Sequence, residues 1–92
     1  MIKSFKHRGL GKLFHNDDQS RIKPEHASKL ARILDRLDAS SRPQDMNLPN
    51  YKLHKLSGKD KGTRSVWVTG NWRVTFKFDG NNAVAVDYRD YH

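Results

Sequence analysis

The chain has 92 residues, of which 35% are hydrophobic and 30% are charged. Its 18 Lys and Arg residues outnumber 10 Asp and Glu residues, and the net charge of +8 favours nucleic acid as a partner, ahead of an acidic protein or an anionic membrane. The chain contains no cysteine, which excludes a disulfide framework, a thiol nucleophile and a cysteine-based zinc site.

The length predicts one domain over residues 1–92 with a single modest core. No apolar run approaches the length of a membrane span. The first residues lack the uninterrupted apolar stretch of a secretory signal. We therefore expect no membrane contact and a location in the reducing cytoplasm.

The N-terminal third predicts a strand and then a helix. Residues 1–6 alternate in character, which is typical of a short edge strand. Leu10 and Leu13 follow at helical spacing, but Gly9 and Gly11 weaken this helix, so we expect it to be short. A polar loop follows.

A second helix has the clearest local pattern. Pro24 suits a first helical position, and the helix should end near Ala39, before a segment rich in Ser and Pro. One apolar stripe runs along this helix, formed by Ala27, Leu30, Ala31, Leu34 and Leu37.

From residue 51 the apolar period changes from helical to alternating, which predicts strands. Turn signals at Gly70-Asn71 and Gly80-Asn81-Asn82 divide this region into three strands. The side chains expected to face the core are Val66 and Val68, then Trp72, Val74, Phe76 and Phe78, then Val84, Val86 and Tyr88. The prediction is an α+β fold with an N-terminal strand and two helices packed on one face of a small antiparallel sheet.

The hydrophobic pattern also predicts the strand register, because a slip of one residue exchanges the two faces of a strand. Keeping the apolar residues on one face requires three-residue loops at 69–71 and 80–82, the first with its last residue in the left-handed conformation. Trp67 and Arg89 are then both placed opposite Arg73.

The same alternation collects aromatic and basic residues on the sheet face away from the helices. They are Trp67, Arg73, Lys77, Arg89 and Tyr91, with His92 just beyond. Cations that hold phosphates and rings that stack on bases make such a face a platform for single-stranded nucleic acid. A solvated surface and a docking face for an acidic protein stay open as alternatives.

The residues available for chemistry leave open a route to RNA cleavage without a metal. The five histidines are scattered and form no metal-ligand motif. RNA carries its own nucleophile, the 2′-hydroxyl, so an enzyme needs cations for the phosphate and groups that move protons. Arg73 and neighbouring lysines are the candidate cations, and His54, Tyr91 and His92 are candidate proton carriers.

Three segments make the chain recognisable: residues 51–58 (YKLHKLSG), 71–76 (NWRVTF) and 87–92 (DYRDYH). They resemble the HigB toxins of the RelE/ParE superfamily of bacterial toxin–antitoxin modules. The opening IKSF is also similar, and the likeness extends over nearly the whole chain.

The resemblance implies a RelE-like fold and a ribosome-dependent endoribonuclease that cuts messenger RNA in the ribosomal A site, without a metal or other cofactor. The implied products carry a 2′,3′-cyclic phosphate and a 5′-hydroxyl. The implied partners are ribosomal RNA, messenger RNA and a cognate HigA-type helix-turn-helix antitoxin, with operator DNA reached only through the antitoxin complex.

The resemblance also implies which residues act. The functional positions of the family fall on His54, Arg73, Tyr91 and His92. Arg73 is expected to bind the scissile phosphate, His92 to transfer a proton, Tyr91 to position a nucleotide, and His54 to aid phosphate contact or proton transfer.

One position departs from the family pattern, because Ser57 stands where close relatives carry a lysine just before the glycine. Lys55 and Lys59 flank it as replacement cations. Contacts to RNA or the ribosome are predicted for these two lysines, for Trp67, and for a basic N-terminal cluster. That cluster consists of Lys3, Lys6, Arg8 and Lys12.

Two other functions stay open from the sequence. A toxin of the ParE side of the superfamily poisons DNA gyrase and shares the fold, and fold similarity does not separate the two activities. A basic RNA-binding module without activity is the third interpretation.

Overall fold

The structure, a computed structural model, describes residues 1–91 apart from the side chain of Asp60. Its elements are helices α1 (Arg8–Asn16) and α2 (Ala27–Ala39) and strands β1 (His54–Lys55), β2 (Arg64–Thr69), β3 (Trp72–Asp79) and β4 (Asn82–Asp90). The strands form one antiparallel sheet in the order β1-β2-β3-β4. Within the described residues, no helix is long and apolar enough to cross a membrane.

The α+β prediction is confirmed, and one core joins the helices to the sheet. α1 contributes two leucines, α2 its apolar stripe, and β2, β3 and β4 their alternate side chains. The fully buried large side chains include Leu10, Leu30, Ile33, Leu34, Leu37, Val66, Val74, Phe76 and Val86. Ile33 was absent from the predicted stripe, and its burial beside Leu34 shows that the apolar face of α2 is wider than the predicted residues.

Local features set the start of both helices, and α2 begins at Ala27 rather than at Pro24, the predicted first position. The His7 side chain caps α1 by accepting the backbone N–H of Leu10 at 3.2 Å, and Asp17 ends the helix in the left-handed conformation. A 3-10 turn over Pro24–His26 leads into α2, so the proline stands where a missing N–H costs no helical hydrogen bond.

The predicted register is confirmed at its centre, where Arg73 pairs with Trp67 on one side and with Arg89 on the other. The predicted three-residue turns are wrong. Each hairpin closes through a two-residue turn whose first residue is a left-handed glycine, Gly70 (φ 55°) or Gly80 (φ 60°), as type II′ hairpins require. Each hairpin also contains one bulge, and the bulge supplies the residue that the shorter turn lacks.

The bulge in β4 changes which side chains are buried. Ala85 adopts a left-handed φ of 54°, and the register shifts between the pairs of Thr75 and Lys77. Ala83 is therefore buried in place of Val84, which was predicted to face the core, while Val86 keeps its predicted place.

The predicted N-terminal strand is reduced to two isolated parallel bridges to β4, Ile2 with Ala83 and Phe5 with Val86. The bulge explains the interruption, because between the two bridges the N–H of Ala85 donates to the Ser4 side chain at 2.8 Å and not to the backbone.

An aromatic cluster ties the ends of β3 and β4 to the start of α2. The Trp72 ring stacks on Tyr88 at a centroid distance of 4.5 Å, and the Tyr88 hydroxyl hydrogen-bonds Nδ1 of the buried His26. Burial raises the pKa of Tyr88 above its ordinary value. The cluster fixes the strand ends that carry Arg73 and Tyr91.

We expect Gly9→Ala to destabilise the protein by about 1–3 kcal/mol, as measured by urea unfolding. A β-carbon at position 9 would lie 2.8 Å from Cβ of Arg21 and 3.0 Å from its carbonyl oxygen, so the loop packed on α1 must move.

Gly11→Ala is the matched control within the same helix. Its β-carbon would meet the Phe5 ring at 3.5 Å, an ordinary contact, and alanine favours the helix by up to about 1 kcal/mol. Equal effects of the two substitutions would contradict the packing described for Gly9.

Tyr88→Phe should lower the free energy of unfolding by about 1–2 kcal/mol, because it leaves the buried His26 without its partner. Tyr51→Phe is the control, since the Tyr51 hydroxyl makes no hydrogen bond among the described residues.

The raised pKa of Tyr88 also predicts that the stability of the protein depends on pH. Its pKa in the folded protein lies above the unfolded value near 10, so the stability that it contributes is complete below pH 10 and is lost as the pH rises through the folded pKa. Unfolding curves between pH 8 and 11 should therefore converge for wild type and Tyr88→Phe, and a constant difference would contradict this assignment.

Candidate active site

A cleft of about 440 Å³ opens on the sheet face away from the helices. It is lined by Lys52, His54, Leu56, Ser65, Arg73 and Tyr91. These residues come from β1 and its flanks, from β2 and β3, and from the end of β4. None of them is acidic, so the cleft is electropositive and suits a phosphate group.

Strand alternation places His54 in the cleft and Lys55 outside it. His54 pairs with Ser65 and Lys55 pairs with Arg64, and neighbouring residues of a strand point to opposite faces. The His54 side chain is exposed and makes no hydrogen bond among the described residues. Its imidazole is therefore available to a ligand.

The floor of the face is formed by short side chains. Ser65 pairs with Thr75, and both are buried although they point away from the helices. The Thr75 hydroxyl has no hydrogen-bond partner among the described residues. Short side chains at these positions let the longer side chains around them form the walls of the cleft.

Arg73 is a cation without a carboxylate partner among the described residues. One terminal nitrogen, Nη1, donates to the carbonyl oxygens of Gly70 at 3.3 Å and Trp72 at 3.2 Å. These two bonds orient the guanidinium without neutralising it. Its other N–H groups donate to no atom of the described residues and so can receive a phosphate in the forked geometry that guanidinium favours.

A polar chain positions Tyr91 at the cleft. The Asp87 carboxylate forms an ion pair with Nε of Arg89 at 3.1 Å, and Nη1 of Arg89 donates to the Tyr91 hydroxyl at 3.0 Å. The backbone N–H of Tyr91 also donates to the carbonyl of Asn71 at 2.8 Å. Asp87 thus offsets the repulsion between the facing arginines 73 and 89.

Trp67 lies beside Arg73, with two lysines over its ring. Its indole N–H donates to the Gly70 carbonyl at 3.0 Å. Nζ of Lys52 lies 4.2 Å from the ring centroid and Nζ of Lys29 lies 4.6 Å from it. Partial burial, and then the charges of Arg32 and Lys52, lower the pKa of Lys29.

The other predicted contact residues lie apart from the cleft. Lys55 lines a separate depression of about 530 Å³ with Ser57, Lys61 and Arg64. Lys59 lies in the 3-10 turn Gly58–Asp60, outside the residues that line the cleft.

The basic N-terminal cluster is also remote from the cleft. Lys3 and Lys6 flank the bridges to the β4 edge, whereas Arg8 and Lys12 belong to α1. Contact of this cluster with ribosomal RNA stays a prediction.

His92, the predicted proton-transfer residue, lies outside the described residues. Among the described residues, no group of three or more His, Asp or Glu side chains is arranged to hold a metal ion.

Lys52, Leu56 and Ser65 are the cleft residues that sequence reasoning did not name, and Lys52 is the cation among them. Its left-handed φ of 50° breaks the alternation of β1, so counting backwards from His54 does not place it in the cleft. The chain stays beside β2 at this point, because the N–H of Trp67 donates to the carbonyl of Tyr51.

Comparison with known proteins finds similarity along nearly the whole chain. The sequence model of a family described as the RelE-like toxin of the type II toxin–antitoxin system HigB matches residues 3–92. The chain is also 38% identical to a protein of Proteus vulgaris named Endoribonuclease HigB, over 92 residues that span the full length of both chains.

Proposed function

Because the chain belongs to the HigB-like family of RelE-like toxins of type II toxin–antitoxin systems, we propose that it is an endoribonuclease that cuts messenger RNA in the ribosomal A site. The name of the Proteus vulgaris relative supports RNA cleavage over gyrase poisoning. The net charge of +8 supports a ribosome-bound substrate, since ribosomal RNA attracts a basic protein over long distances.

The observation that carries the proposal is the Arg73 guanidinium, which has no carboxylate partner among the described residues and lies in a cleft that also holds an imidazole and a phenol. A phosphodiester that enters this cleft meets a permanent positive charge. The charge that develops on the phosphate oxygens during cleavage strengthens that interaction, and this difference lowers the barrier.

The proposed reaction is attack of the RNA 2′-hydroxyl on the adjacent phosphorus. The 2′-oxygen loses its proton and bonds to phosphorus, the bond to the 5′-oxygen breaks, and the 5′-oxygen takes up a proton. The products are a 2′,3′-cyclic phosphate and a 5′-hydroxyl. This route uses the nucleophile of the RNA itself, so it depends on alignment, charge and two proton transfers rather than on a metal.

The proposed roles follow from side-chain chemistry. Arg73 binds the scissile phosphate, Tyr91 positions a nucleotide beside it, and His54 contacts the phosphate or moves a proton. His92 is proposed as the main proton carrier, because imidazole titrates nearest to neutral pH.

The family implies an antitoxin partner, and we propose that it is a HigA-type helix-turn-helix protein. In this proposal the toxin reaches operator DNA only through the antitoxin complex. We expect the toxin in the cytoplasm, where its ribosomal substrate is found.

We predict that Arg73→Ala lowers the rate of cleavage by about 10²- to 10³-fold, since it removes the charge that stabilises the transition state. The measurement is primer extension on a defined message held on stalled ribosomes. His92→Gln should also lose activity. Lys77→Ala is the control, because Lys77 is an exposed cation on the same strand but outside the cleft.

Full activity of both Arg73→Ala and His92→Gln, with unchanged unfolding curves, would remove the assignment. Intact message together with cleaved or unrelaxed DNA after induction would instead identify a gyrase poison. Salt-sensitive RNA binding without cleavage would identify a binding module.

A further inference from the structure

The loop after β1 places no cation in the cleft. Ser57 occupies the position at which the resemblance implies a lysine, and its side chain carries no charge. Ser57 and Lys55 line the neighbouring depression, and Lys59 is not among the residues that line the cleft. Neither flanking lysine is therefore positioned to replace the missing charge.

Lys52 is in the cleft, together with His54 and Arg73. Its backbone has a left-handed φ of 50°, which is uncommon for a residue with a side chain and often marks a functional position. The next strand helps to hold this backbone, because the N–H of Trp67 donates to the carbonyl of the preceding Tyr51.

Trp67 holds the Lys52 ammonium without neutralising it. Nζ of Lys52 lies 4.2 Å from the centroid of the ring, and no carboxylate among the described residues pairs with it. An exposed contact of this type is weak, a factor of about two to five in an equilibrium constant. It orients the lysine, leaves its full positive charge, and is weak enough to be exchanged for a phosphate oxygen.

The indole ring is itself fixed. Its N–H donates to the Gly70 carbonyl, which is also an acceptor for Arg73. One carbonyl therefore orients both the Arg73 guanidinium and the ring that carries Lys52.

We propose that Lys52 is the second cation on the scissile phosphate, in place of the lysine missing at position 57, and that Trp67 is the positioning residue that holds it. The proposal rests on the proposed function, since it assigns these residues to the same cleavage step. It gives Trp67 a different task from the base stacking expected of an aromatic residue on this face.

The first test is Lys52→Gln, measured as the single-turnover rate of message cleavage at saturating ribosomes. We expect a loss of about 10²-fold, with unchanged unfolding, and recovery of most of the rate in Lys52→Arg. Lys61→Gln is the control, because Lys61 is an exposed lysine that lines the separate depression and not the cleft, and its rate should stay within about twofold of wild type.

The second test separates positioning from base stacking by a double-mutant cycle. Trp67→Leu should slow cleavage about two- to fivefold and Trp67→Phe, which keeps an aromatic face, should slow it less. If Trp67 acts through Lys52, then Trp67→Leu combined with Lys52→Gln is no slower than Lys52→Gln alone. If the double variant instead loses the product of the two single losses in rate, the ring contacts RNA directly, and the positioning role is overturned.

The outcomes also distinguish the inference from the function on which it rests. If wild type cleaves message and Lys52→Gln cleaves it at the same rate, the inference is overturned and the proposed function stays intact. Wild type that leaves ribosome-bound message uncut overturns both.

Discussion

The cross-strand row formed by Trp67, Arg73 and Arg89 is the constraint on which the site depends. The row exists because β2, β3 and β4 must bury their alternate apolar side chains under the two helices. A slip of one residue in any strand would place valines in the cleft and arginine in the core. The core therefore sets the position of the Arg73 guanidinium, although the guanidinium points away from it.

This constraint is satisfied by a combination of short turns and bulges. Each hairpin closes through a two-residue turn, and each restores the apolar parity with one bulged residue. The bulge in β4 has further consequences, because it exchanges Val84 for Ala83 in the core and reduces the N-terminal strand to two bridges. A local feature of one strand thus determines how the first residues of the chain attach to the sheet.

The charge of the sheet face that holds the cleft depends on which of its cations is paired with a carboxylate. Asp87 pairs with Arg89 and, through it, orients Tyr91. Arg73 is held by carbonyl oxygens and Lys52 by an aromatic ring. Dipoles and π-electrons orient a cation without cancelling its charge, so the two positive groups in the cleft are preorganised for an anionic substrate.

The sequence alone determined the α+β class, and the apolar stripe determined the long helix. The sequence also determined the pairing of Trp67 and Arg89 with Arg73, because the side chains of a strand alternate between its faces and the apolar ones must be buried. It also supplied the family resemblance and named His54, Arg73 and Tyr91 as candidate site residues, which the structure brings into one cleft. Only the tertiary structure decided how the apolar side chains stay on one face. A three-residue turn and a two-residue turn with one bulged residue both achieve this, so the hydrophobic pattern does not distinguish them. The tertiary structure alone placed Lys52 rather than Lys55 or Lys59 in the cleft, because the choice among neighbouring lysines depends on how the chain pairs beside Trp67.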